Sequence, residues 1–189
     1  MIFSGLDASC TLGLPHSAGS DIMHLAVLNL TDLMISLWRG TIDCTTLDNK
    51  STWDWAVLQG DIWQQHGKAV AAALPYLPSS FDRPPHNIAE KLTSGYKAWE
   101  FLLYLYGLGP GLLYSILPER FFSNYCKLVM GIWLINQYRI TEVNVRDAHL
   151  ALLTFAHEFK MIYCQHKKTH IHFIHPCMHL LVHLPCGAL

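Results

Sequence analysis

Paired cysteines are the first thing missing. Cys10, Cys44, Cys126, Cys164, Cys177 and Cys186 stand apart with no C-x-x-C spacing, so neither a zinc ribbon nor a thioredoxin-type redox motif is written here. No stretch near Met1 joins basic residues, an apolar run and a small-residue cleavage site, and the expectation is a reduced, intracellular chain. Charge is scarce as well. Only 14% of the residues are Asp, Glu, Lys or Arg, and they nearly cancel to a formal −1, with a pI near 6.8. No global field favours nucleic acid, so any such contact has to come from a local patch. The P-loop, GxSxG, HExxH and Rossmann glycine patterns are all absent, which removes sequence support for the common nucleotide-binding and hydrolase classes.

An uninterrupted membrane-length segment is lacking too. The longest uncharged run, Phe101 to Leu117, approaches spanning length, but Gly107, Gly109, Pro110 and Gly111 break its middle and Glu100 and Glu119 flank it. Two buried helices joined by a GLGPG turn are the preferred reading, and a small membrane protein built around this run is the rival.

What the sequence does have is apolar surface. Just over half of its 189 residues are hydrophobic, enough for one core and more than a stand-alone soluble domain needs. Residues 1–19 show no period and read as an irregular lead-in, leaving 20–189 as one mostly helical domain. From Asp21 to Trp38, Ile22, Leu25, Ala26, Leu30, Leu33, Met34 and Leu37 recur at helical spacing behind Ser20 as cap. LQGDIWQQHGKAVAAAL continues in helix-forming residues, weakened by Gly67. Asn87 and Glu90 form a capping pattern, Pro118 suits a first helical turn, and Thr141 caps the clearest helix, carried by Val145, Ala148, Leu152, Phe155, Phe159 and Ile162. THIHFI alone alternates like a strand, so the fold reads as all-α or mainly α, with at most a short strand near 170–174.

Three groupings can carry chemistry. Asp21 sits three residues ahead of His24 at a helix mouth. A carboxylate there can hold a divalent cation if other acids converge on it, and otherwise it caps the helix and favours the positive end of its dipole. Six of the twelve histidines crowd the tail as His166, His170, His172, His175, His179 and His183. With His175, His179 and His183 four apart and Cys177 nearby, a helical binding module holding zinc, copper or nickel is one reading, and a helix starting at Pro176 with histidines on its flank is the other. Trp53, Trp55, Trp63, Tyr96, Trp99, Tyr104 and Tyr106 could stack on bases, but too few cations are interleaved, and core packing is the preferred reading.

Long strings carry a resemblance. SDIMHLAVLNLTDLMISLWRGTIDC, STWDWAVLQGDIW, FDRPPHNIAEKLTSGYKAWEFLLYLYGLGPGLLYSILPERFFSNYCKLVMGI and IHFIHPCMHLLVHL, together nearly everything after residue 19, resemble an interior piece of the fungal transposases related to CACTA and Plavaka elements. The resemblance implies an RNase H-like core with a DDE-type triad of acids holding two Mg2+ or Mn2+ ions, interrupted by a helical insertion that would take up about residues 50–183. In that scheme DIMH resembles the D-x-x-H motif, making Asp21 the second acid and metal ligand and His24 its catalytic companion. The first and last acids would lie outside the sequence, so the expectation is a nuclear transposase fragment that is inactive by itself and binds no metal stably. Its partners would be DNA, weakly, and full-length copies, with no membrane. Departures from the family are expected to mark decay. His86, Trp133, His166, His170, His175 and Cys186 stand where relatives show arginine, and Lys160 where an acid is usual, each one transition away. Histidine, largely neutral near pH 7, replaces a phosphate-binding arginine poorly.

Overall fold

Helices form the regular elements among the described residues: α1 (Thr31–Trp38), α2 (Gly60–Ala72), α3 (Ile88–Lys91), α4 (Ala98–Leu102), α5 (Gly109–Leu112), α6 (Glu119–Ile135), α7 (Glu142–Phe159) and α8 (Pro176–Leu181). The computed structural model describes residues 21–46, 48–78, 84–92 and 95–185; the expectations for residues 1–19, Ser20 and Cys186 fall outside these. The fold is all-α, with no strand among the described residues.

Local signals place several helix starts. Thr141 accepts from the Asn144 amide at 3.2 Å and Asn144 returns to the Thr141 amide, closing the reciprocal cap of α7. Asn87 accepts from Ala89 N at 3.0 Å and donates to Glu90 Oε1 at 2.8 Å, starting α3. Pro118 sits at the N-cap of α6. The buried face of α7, which includes Val145, Ala148, Leu152, Phe155 and Phe159, is the one its spacing predicts, and it lies along α6 in the most extensive helix pair of the fold. Gly131 is what lets the two close up, since a Cβ there would stand 2.5 Å from Leu152 Cδ2.

Among the described residues, three stretches wind wider than an α-helix: Met23–Leu30 running into α1, Leu103–Leu108 between α4 and α5, and Lys160–Cys164 after α7. The second of these corrects the reading of GLGPG as a turn. Pro110 has no N–H, which leaves the carbonyls four and five residues back without a helical donor. Trp133 Nε1 donates to the Tyr106 carbonyl at 2.7 Å, and the Tyr125 hydroxyl donates to that of Leu105. Gly109 makes room for Tyr125, whose hydroxyl would otherwise meet a Cβ at 2.2 Å. The chain therefore stays helical through Leu112, and the bend comes afterwards. The short strand near 170–174 is likewise corrected: Lys168–Phe173 is a 3-10 helix. Its two buried side chains, His170 and Phe173, are three residues apart and stack at 4.7 Å, which suits a three-residue turn and not a two-residue strand repeat.

Trp55 is the centre of the core. It is fully buried, stacks on Trp53 at 5.4 Å, and meets Phe121, Tyr163, His170 and Phe173 edge-on. Trp63, Tyr96, Tyr104 and Tyr106 are also buried, as core packing requires, while Trp99 stays 44% exposed. No helix among the described residues is long and apolar enough to cross a membrane.

Candidate functional site

Asp21 and His24 are brought together at the start of the first helix, and both are exposed. Asp21 Oδ1 accepts from Met23 N at 2.8 Å and from His24 N at 3.3 Å, while Oδ2 lies 2.5 Å from His24 Nδ1. One oxygen is thus used by the backbone and the other by the imidazole. The His24 side-chain bond, then the backbone bond to the same residue, hold the Asp21 carboxyl below the ordinary aspartate value. A Mg2+- or Mn2+-type site needs about six oxygens and, for phosphoryl transfer, converging carboxylates. No group of three or more His, Cys, Asp or Glu among the described residues could hold a metal, so Asp21 and His24 alone do not fit such an ion. Their geometry fits a helix cap, and Asp21→Ala is expected to speed hydrogen exchange at Met23 and His24 several-fold while leaving Phe155 unchanged.

The cleft beside this cap is apolar. About 500 Å³ opens between Met23, Val27, Trp99, Leu102 and Ile132, with Lys97 and Asn136 as its polar lining. Such a wall suits aliphatic or aromatic groups and gives a phosphodiester one cation.

The tail histidines separate. His175 caps α8 and lines a cleft with Leu25, Asn29 and Asp32. His179 faces a different one, with Leu153 and His157, and although its ring lies 5.0 Å from that of His183, α8 has ended by then. His172 Nε2 lies 2.5 Å from the Asp43 carbonyl oxygen. His166 has a left-handed backbone with φ 57° after Gln165 at 52°. His170 is fully buried: Nδ1 donates to the Tyr163 carbonyl at 2.9 Å, and Nε2 stands 2.6 Å from buried Asp48 Oδ2, off the line of a well-aligned hydrogen bond.

Sequence reasoning passed over Glu100, which it used only as a charged flank. The side chain is 4% exposed and accepts from His86 N at 3.0 Å, His86 Nδ1 at 2.6 Å and Lys97 N at 3.0 Å. Burial would raise its pKa, but the hydrogen bonds from His86 and Lys97 outweigh that and hold it below the ordinary glutamate value. The Lys97-x-x-Glu100 spacing of a helix N-terminus was the available signal. The two side chains line a cleft of about 570 Å³ with Pro84, Pro85, Asn87 and Lys97, and the carboxylate fixes His86 while tying the loop before α3 to the start of α4. No family model, curated protein or solved structure matches the chain.

Proposed function

We propose that this chain is an interior fragment of a CACTA/Plavaka-like DDE transposase, carrying the family's D-x-x-H at Asp21 and His24 ahead of a helical insertion over about residues 50–183, and that this polypeptide is catalytically silent. The observation that carries the reading is the helical build, without a strand among the described residues, beside the exposed Asp21–His24 pair. It suits an insertion into a sheet-based nuclease core, and it leaves Asp21 with one imidazole and no converging acid among the described residues. In a complete enzyme the ions would be Mg2+ or Mn2+, with Asp21 as one ligand; here one carboxylate cannot steady both the attacking and the leaving oxygen.

The same reading takes His86 and Trp133 as former arginines. His86 Nδ1 lies 2.6 Å from Glu100 Oε1, and Trp133 donates one indole N–H to the Tyr106 carbonyl, where a guanidinium would present a fork of five donors. The partners that follow are DNA, held weakly, and full-length transposase copies, in the nucleus. Gel shifts on duplexes with and without terminal repeats, run across a salt series, test this. The expected result is weak binding without sequence preference and with a shallow salt slope; tight binding specific to the repeats contradicts it.

A further inference from the structure

Leu153, Ala156, His157 and Lys160 follow one another at i, i+3, i+4 and i+7 from α7 into the wide turn after it, so they share one stripe. α8 is held against α7 where His149 Nδ1 donates to the Val182 carbonyl at 3.1 Å. It brings Met178, His179 and Val182 to the same opening, and with Ala156 and Ile174 these residues line a cleft of about 260 Å³.

The cleft has two chemically distinct parts. Ala156 and Met178 are buried and make its floor, while Leu153 and Ile174, 47% and 38% exposed, stand beside it. His157, Lys160 and His179 are exposed at the rim. None of the three makes a hydrogen bond or ion pair among the described residues. No Asp or Glu lines the cleft. Glu158, the acid adjacent in sequence, is turned to α6, where its Oε2 accepts from Lys127 Nζ at 2.9 Å and from Asn124 Nδ2 at 3.3 Å. His183, with its ring 5.0 Å from that of His179, adds no negative charge.

We propose that this cleft binds a small organic carboxylate, its apolar body on Ala156 and Met178 and its head group among His157, Lys160 and His179. An apolar cavity of about 150 Å³ already holds benzene, so the volume here takes one ring with its head group. A neutral guest would leave the rim without its charge partner, and a bare inorganic anion would leave the floor wet. This inference does not rest on the transposase reading and survives if that reading fails.

Amide chemical-shift titrations of the full chain with benzoate, benzamide and inorganic phosphate at pH 6, on the acid side of neutrality where histidine gains charge, test it. Benzoate should move the Leu153, His157, Lys160 and His179 amides and approach saturation by about 10 mM. Benzamide, which keeps the ring and loses the charge, and phosphate, which keeps the charge and lacks the ring, should each bind roughly tenfold more weakly. Lys160→Met should weaken benzoate about fivefold, and Leu153→Trp should block the cleft. Both positions are exposed, so circular dichroism should show unchanged helicity and melting. Benzoate that moves none of these amides, benzamide or phosphate that binds as well as benzoate, or a Lys160→Met protein of wild-type affinity each overturns the proposal.

Discussion

Trp55→Ala is expected to destabilise the protein by about 3–5 kcal/mol, the range for removing a large buried aromatic. Trp55 is completely buried, and its indole N–H has no hydrogen-bond partner among the described residues. The loss is therefore one of packing. The ring touches residues from the 53–55 loop, α6, the turn after α7 and the 3-10 helix before α8, through Trp53, Phe121, Tyr163 and Phe173. A cavity at that junction cannot be filled by moving one element. Small domains are stable by only about 5–15 kcal/mol, so the urea midpoint should fall by a large fraction of its value. Tyr138→Ala, at a 97% exposed position, should stay within about 0.5 kcal/mol. Equal midpoints for the two variants would show that the aromatic cluster is not the core.

Acid should weaken the fold well before the carboxylates titrate. His66 is 2% exposed; its Nε2 lies 2.9 Å from the Tyr104 hydroxyl, and its Nδ1 has no partner among the described residues. Burial lowers its pKa from 6.5 to about 4, because a charged imidazole there would lose its water. The unfolded chain binds this proton more readily than the folded one. Stability is therefore full above pH about 6.5, falls as the pH drops, and by pH about 4 has lost on the order of 3 kcal/mol through this residue. Asp21, Glu100 and Glu158 also lie below their ordinary values of 3.8, 4.5 and 4.5, so their losses begin lower, and the window from 6.5 to 4.5 belongs to His66 among these groups. Urea unfolding at pH 7, 5.5 and 4.5 should show a slope in the wild type that His66→Gln flattens. A wild-type profile flat over this range contradicts the assignment.

Much of the helical frame could be read from residues a few positions apart. Thr141 with Asn144, Asn87 with Glu90, and the three-and-four spacing from Val145 to Phe159 act within a turn or two, so they appear in sequence as they do in space. What could not be read depends on partners far along the chain. The wide turns of Met23–Leu30 and Leu103–Leu108 expose carbonyls that Tyr106, Trp133 and Tyr125 satisfy from up to 80 residues away, as in the 2.8 Å bond from Tyr106 to Ala26 O. Gly109 looked like a turn residue because nothing local reveals that Tyr125 needs its space. THIHFI looked like a strand because its apolar alternation is visible and the burial of His170 beside Asp48 is not. At the candidate site the sequence placed Asp21 and His24 side by side correctly. It could not say that both carboxylate oxygens are engaged locally, nor that Glu100 would be buried against His86.

The catalytic claim stands or falls on divalent-metal chemistry at Asp21. The most direct measurement is nicking of supercoiled duplex DNA by the purified 189-residue chain in Mg2+ and Mn2+, beside Asp21→Asn. The account predicts no nicking above background from either protein. Nicking by the wild type that disappears with Asp21→Asn would contradict it.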